Sequence, residues 1–343
     1  MPNADGRKRL IELDALRGIA ALSVVFFHYS THYAKLYSHT QPWPFDFWIG
    51  RYGVELFFMI SGYVIFLTLD RTQTPQAFIV SRFSRLYPTY WVAVILTYSI
   101  TSALSLPGWQ ISFPDALLNL TMVQELAAKP HVDDVYWTLH RELGFYVLTG
   151  TLFYTPARKF IVYIIALLIV FNTVVVYFDA LYRIPGLWRL YAVFPIAQLH
   201  LFSLGIALYL LHKAALRRWQ FYLVAAICLA NADVAIDITH ASILALLFAG
   251  LYLSLHVQPK FLHHPYLLFF GAISYPLYLV HNNIGSATIH FLEGNGAHAA
   301  TAVFSALVLS LAMATMLNKF VEQPGLKWIR GRYRNHLAIT PHN

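Results

Sequence analysis

The chain has 343 residues, of which 58% are apolar and only 12% charged, about half the charged share of a soluble domain. So few charges cannot supply the polar skin of a soluble fold, so the composition is that of a membrane protein. The formal net charge of +8 would suggest nucleic acid in a soluble protein. Here the Lys and Arg residues stand in short clusters between apolar runs, so they read as membrane topology, and no nucleic-acid partner is expected. The single cysteine, Cys228, excludes an internal disulfide framework and any CxxC metal or redox motif.

A helix needs about 20 apolar residues to cross the hydrocarbon core, and ten segments approach that length. They cover 13–32, 50–69, 86–106, 136–155, 160–178, 190–211, 219–237, 241–257, 266–290 and 299–320. The first carries Arg17 and has no small-residue cleavage pattern after it, so it reads as a retained span and not a signal peptide. Glu55 interrupts the second span, and Arg141 with Glu142 interrupts the fourth. The longest outer loop, Pro107 to Asp134, starts Phe113-Pro114-Asp115 before an apolar run, which predicts a short interfacial helix.

With the N-terminus inside, only Lys35, Arg51, Lys129, Arg183 and Arg189 fall outside. Arg17 and Arg141 lie within spans, and the rest of the 24 Lys and Arg residues fall inside. This asymmetry obeys the positive-inside rule. The expected fold is therefore all-α: a polytopic membrane bundle of about ten transmembrane helices with both termini cytoplasmic. It divides into an N-terminal tail over 1–12, one membrane domain over 13–322 and a basic cytoplasmic tail over 323–343.

Ionisable side chains inside a span cost about 2.5–3.5 kcal/mol each on insertion scales, so they usually face the bundle interior. Arg17, His28, Glu55, Arg141, Glu142 and His281 are such residues. Eleven residues separate Arg17 from His28, which returns to within about 20° of one helix face and rises about 16 Å. Arg17 is then near the inner surface and His28 near the outer one. Coenzyme A suits that geometry, its phosphates against Arg17, Arg82 and Arg85 and its thin pantetheine arm reaching towards His28. His28 is the expected general base, because a neutral imidazole titrates near operating pH. Glu142 is the first choice to orient it, with Glu55 as substitute. For each residue alone, a snorkelling anchor, an ordinary inside charge or a packed histidine is the competing explanation.

Ser274, Tyr278 and His281 fall on one face of the ninth span and are candidates for binding substrate. Tyr275-Pro276 reads as a kink. Cys228 belongs to no motif, so a cysteine thioester is not expected. His28 and His32 stand at i, i+4 and His263 and His264 are adjacent, but no three-ligand pattern accompanies them and no metal is expected. A transporter or a flippase for a sugar or lipid-linked intermediate is the competing class. Inverted-repeat carriers show two matching halves, whereas the charged features here concentrate in the first 145 residues.

These residues form an ordered set of motifs. Leu13 to His28 carries an Arg-x10-His pattern. Gly53-Val54-Glu55-Leu56-Phe57-Phe58 with Ser61-Gly62-Tyr63 follows, then Arg82-Phe83-Ser84-Arg85-Leu86-Tyr87-Pro88. Trp137-Thr138-Leu139 with Glu142, Phe145 and Tyr146 comes next, then Gly271-Ala272-Ile273-Ser274-Tyr275-Pro276-Leu277-Tyr278 with His281, and finally Glu322-Gln323-Pro324. In this order, over about residues 11–325, the chain resembles membrane acyltransferase family 3, the bacterial integral-membrane O-acyltransferases of surface polysaccharides. The resemblance implies an acyl-CoA co-substrate, usually acetyl-CoA, and no permanently bound cofactor. It implies a carbohydrate or lipid-linked glycan acceptor and a place among lipids in the bacterial cytoplasmic (inner) membrane. Arg17 and His28 match the residues associated with donor binding and chemistry, Arg82 and Arg85 match a second important pair, and Trp137 joins the candidate substrate contacts. Some members carry a fused esterase-like domain. None follows the last span here, so the stand-alone form is expected.

Overall fold

The computed structural model describes residues 10–41, 43 and 45–339. The expected tail over 1–12 lies almost wholly outside the described residues, as do the last four residues of the tail over 323–343. Among the described residues there is no strand, so the protein is all-α.

Twelve helices longer than ten residues stand among the described residues. They are α1 Ile11–Phe27, α2 Gly53–Arg71, α3 Pro75–Ala103, α4 Trp137–Phe153, α5 Ile161–Tyr177 and α6 Leu199–His212, followed by α7 Arg218–Ala235, α8 Ile238–Val257, α9 Pro265–Val280, α10 Asn282–Gly294, α11 Ala299–Leu317 and α12 Gln323–Ile339. Every expected span falls on one of them, or on one with a break. By length and composition, four helical stretches are apolar enough to cross a membrane: Trp48–Arg71, Pro156–Tyr177, Ile238–Val257 and Ala299–His336. A pair bent by 66°, Leu187–Val193 with Ile196–His212, makes a fifth if it counts as one span. Where a short interfacial helix is expected, a short helix Phe113–Asn119 is present, with the Ser112 side chain accepting from Asp115 N, a normal N-cap.

The chain folds as two compact units interleaved in sequence. One takes residues up to Arg17, Val54–Gln73 and Arg141–Leu268; the other takes Gly18–Gly53, Thr74–His140 and Phe269 onward.

In the first unit, α2 and α6 meet backbone to backbone. A Cβ on Gly62 would overlap the Phe202 carbonyl, and one on Gly205 would overlap that of Met59, so only glycine permits this approach. That is the physical content of the Ser61-Gly62-Tyr63 motif. Phe145 stacks on Phe202 with ring centroids 4.0 Å apart. Asn172 and Asn231 tie α5 to α7, as polar side chains do between membrane helices.

In the second unit, the ninth expected span is two helices, broken at His281. Pro276 has no N–H to give the carbonyl four residues back, and Asn318 Nδ2 donates to that Ala272 oxygen instead, at 3.0 Å. At the break, Tyr136 Oη donates to Leu279 O at 3.0 Å. Asn283 N donates to Asp133 at 2.9 Å. These backbone groups at the break thus have side-chain partners, which helps a helix stop inside a packed unit. The expected tail over 323–343 is helical over its described residues: α12 packs on α3, with Arg330 Nε donating to Ser84 Oγ at 3.1 Å.

Candidate active site

The second unit holds His28 at the end of an unbroken helix. Immediately after Phe27 the winding changes to a π turn over His28–His32. A second π turn, Asn318–Glu322, ends at the Glu322-Gln323-Pro324 motif. Such widened turns are rare and concentrate at functional positions.

His28 is 7% exposed and His281 fully buried. His281 Nδ1 lies 2.9 Å from the Tyr278 carbonyl and 3.1 Å from that of Leu277. Carbonyl oxygens only accept, so Nδ1 of His281 carries the proton and its Nε2 offers a lone pair. That lone pair faces His28 Nδ1 at 3.1 Å, which also lies 2.9 Å from Val24 O. Nδ1 of His28 is therefore the N–H, shared between two acceptors. Its Nε2 carries the lone pair and makes no hydrogen bond among the described residues. His32 stands edge-on to the His28 ring at 5.1 Å.

The surroundings hold this pair in place. Tyr29 Oη donates to the His281 carbonyl at 2.8 Å and lies 2.6 Å from Ser310 Oγ. A Cβ on Gly285 would overlap the Tyr29 phenol. Asp133, fully buried in the stretch just before α4, accepts from Asn282 Nδ2 at 2.8 Å, from Asn283 N and from Val135 N. One carboxylate thus caps two helix starts, one of them beginning directly after His281. Burial pushes this carboxyl up to about 7, against the hydrogen bonds that favour its ionised form. Sequence reasoning missed Asp133, Tyr29 and Asn282-Asn283. The signal available was a tripeptide of polar residues, His281-Asn282-Asn283, inside an otherwise apolar stretch.

Arg85 pairs with Glu322, whose other oxygen accepts from Asn318 Nδ2 at 2.7 Å. The guanidinium lies over the Tyr275 ring at 5.4 Å, and Tyr275 Oη donates to Leu86 O at 2.8 Å. Three separate motifs, around Arg82, Tyr275 and Glu322, meet at this point. Arg82 donates to Ser81 Oγ at 3.0 Å. Ser274 is fully buried and donates to Gly271 O. Tyr278 Oη lies 2.8 Å from Thr138 Oγ1, and Trp137 is half-buried at the start of α4.

Arg17, Glu55 and Glu142 belong to the first unit. Arg17 is half-buried on α1, and Glu55 occupies the first turn of α2, where the helix N-terminus favours a carboxylate. Glu142 accepts from Ser61 Oγ at 3.0 Å and from Tyr146 Oη at 2.5 Å. Arg141 donates to Tyr191 O at 2.9 Å. Cys228 is fully buried in α7. Among the described residues, no group of three His, Cys, Asp or Glu side chains is placed to hold a metal ion.

The family model described as "Acyltransferase domain" matches residues 10–319. The chain belongs to that acyltransferase family. Its composition and long apolar helices agree with membrane acyltransferase family 3, whose motifs it carries in order. Among similar proteins is the exopolysaccharide production protein ExoZ of Rhizobium meliloti (strain 1021). It is 34% identical over 115 residues, which is 31% of this chain and 36% of that protein. The putative acetyltransferase ORF330 of Acidianus two-tailed virus is 22% identical over 284 residues, covering 78% of this chain and 80% of that one. The acyltransferase MdmB of Streptomyces mycarofaciens is 29% identical over 161 residues, covering 44% and 41%. The matched part is thus well under half the length of ExoZ and of MdmB. No solved structure matches the chain.

Proposed function

We propose that this acyltransferase moves an acyl group, acetyl in the first instance, from cytoplasmic acyl-CoA to a hydroxyl of an extracytoplasmic carbohydrate. The observation that carries the chemistry is the Nε2 lone pair of His28, on a ring fixed through Nδ1. A hydroxyl meeting Nε2 gives up its proton as its oxygen attacks the thioester carbonyl. The tetrahedral intermediate then expels the CoA thiolate, which takes the proton back from His28. While His28 is charged, its Nδ1–H is already shared with Val24 O and the His281 lone pair, and both stabilise the cation. His281 accordingly takes the orienting role in this reading, with Glu142 and Glu55 kept as carboxylates to be tested.

Arg17, Arg82 and Arg85 are the proposed phosphate ligands. The ion pair with Glu322 fixes the Arg85 guanidinium, a planar fork whose geometry suits a phosphate. Trp137, Ser274 and Tyr278 are proposed contacts for the pantetheine arm or the acceptor. The name of the ExoZ relative supports a polysaccharide acceptor. The charge asymmetry of the loops supports ten spans with both ends cytoplasmic, and the family supports a place in the bacterial inner membrane.

The test is acetyl-CoA turnover by the purified full chain in proteoliposomes, wild type beside His28→Ala and Arg17→Ala. Slow release of CoA by wild type, lost in His28→Ala and shifted to higher acetyl-CoA concentration in Arg17→Ala, is the expected result. Failure of all three to bind acetyl-CoA at millimolar concentration would overturn the reading.

A further inference from the structure

The first unit contains a cleft that the proposed reaction does not use. Its mouth encloses about 460 Å³, within the range of small-molecule sites. Arg158, Lys159 and Lys213 line one side of the mouth, with Asp70 as the carboxylate among them. Asp70 lies 3.5 Å from Arg158 and 3.7 Å from Lys213, and accepts from Tyr209 Oη. It sets the two cations in place and neutralises one charge of three. Arg158 also rests on the Phe153 ring, 3.9 Å from its centroid.

From this basic mouth the cleft narrows along an apolar wall into a shallow slot of about 20 Å³ between α5, α6 and α7. Val162, Ala166, Leu210 and Val224 line both the mouth and the slot, and Ile169 and Ile206 line its inner part. Tyr163, Trp219 and Leu223, which line the mouth, are 67%, 60% and 51% exposed. Exposed aromatic and aliphatic side chains beside a basic cluster mark the boundary between hydrocarbon and water. The cleft therefore opens towards lipid, with its cations at headgroup level and its slot at chain depth.

We propose that this cleft binds an anionic phospholipid, its phosphate held by Arg158, Lys159 and Lys213 and one acyl chain lying along the apolar wall that leads to the slot. The net positive mouth selects a headgroup with uncompensated negative charge, and the apolar wall favours the chain. A free phosphate or phosphate ester would use only the mouth. The thioester substrate is assigned to other arginines, so this site stands or falls independently of the proposed reaction.

The experiment is native mass spectrometry of the full chain after reconstitution with phosphatidylglycerol and phosphatidylcholine of identical chains. Wild type is expected to retain phosphatidylglycerol over phosphatidylcholine by about tenfold. Arg158→Gln/Lys159→Gln/Lys213→Gln, at exposed cations, is expected to retain both equally. Lys327→Gln/Arg332→Gln/Arg334→Gln on α12 is expected to keep the preference. Ala166→Phe, which fills the slot, is expected to lose both lipids. Equal retention by wild type, an unchanged preference in the triple variant of the mouth, or phosphatidylglycerol retained by Ala166→Phe would overturn the proposal. Displacement of the lipid by glycerol phosphate would instead identify a phosphate site, and displacement by acetyl-CoA a thioester site. Either result sinks the phospholipid assignment.

Discussion

His281 Nε2 lies 3.1 Å from Nδ1 of His28, across 253 residues of sequence. Because two carbonyls fix the proton on the far nitrogen of His281, the tautomers of both rings follow, and the basic nitrogen of His28 is its Nε2. Loss of His28 is expected to cost about 10²–10⁴ in turnover, the usual contribution of a general base. His281→Leu removes one acceptor of a charge-assisted bond, worth about 1.5–3 kcal/mol, or roughly ten- to hundredfold. The double variant should be no slower than His28→Ala alone. Additive losses would show that the two rings act separately.

Gly285 packs against the ring that steadies this pair. Gly285→Ala forces the Tyr29 phenol aside, and a displacement near 1 Å costs about a hundredfold. Tyr29→Phe keeps the ring and loses only its hydrogen bonds, so it should be the milder change. CoA release measured at saturating acetyl-CoA distinguishes them, and equal rates would contradict the packing argument.

Asp133 gives stability a pH dependence. Its carboxyl stands at about 7 in the fold against an ordinary 3.8. Between those values the folded chain holds a proton that the unfolded chain has released, so stability falls as pH rises, by about 4 kcal/mol in total. Asp133→Asn has no such proton. The wild-type melting temperature in detergent should therefore drop more between pH 4.5 and 7.5 than that of the variant, and parallel curves would refute the assignment.

The Glu322 side chain is fully enclosed and Arg85 is its cation. Arg85→Met leaves that charge buried and unpaired, a loss of about 3–5 kcal/mol, whereas replacing both partners by apolar residues is often nearly neutral. Thermal melts of Arg85→Met and of Arg85→Met/Glu322→Met check this. A double variant as unstable as the single one would mean that the pair is not the source of the effect.

Glu142 has hydroxyl partners in its own unit, Ser61 and Tyr146, and glutamine can still accept from a hydroxyl. Glu142→Gln should thus keep most of its turnover, well short of the roughly 10²-fold loss that removal of an acid–base group brings. A loss of that size would make Glu142 a proton-transfer group.

The apolar stretches and their lengths located the helices, because a chain with so few charges has little else to fold with in lipid. The order of motifs was equally plain in the sequence, and Arg85, Tyr275 and Glu322 turned out to be neighbours. Local pattern also found the helix Phe113–Asn119, since a proline and an acidic residue at a helix start act within one turn. The break at His281 was not legible. Pro276 suggested only a kink, whereas the stop depends on Asp133 and Tyr136 arriving from more than 140 residues away to take up the freed backbone groups.

The sequence by itself determined that this is an all-helical membrane acyltransferase with histidines and arginines at fixed depths along its helices. Hydrophobic length and helical period are local properties, so they survive without a fold. Only the tertiary structure decided that the partner of His28 is another histidine, which nitrogen of each ring holds the proton, and that Arg85 is tied to Glu322. Those facts rest on hydrogen bonds between residues remote in the chain, and a hydrogen bond is specified by distance and direction, which no spacing in one dimension contains.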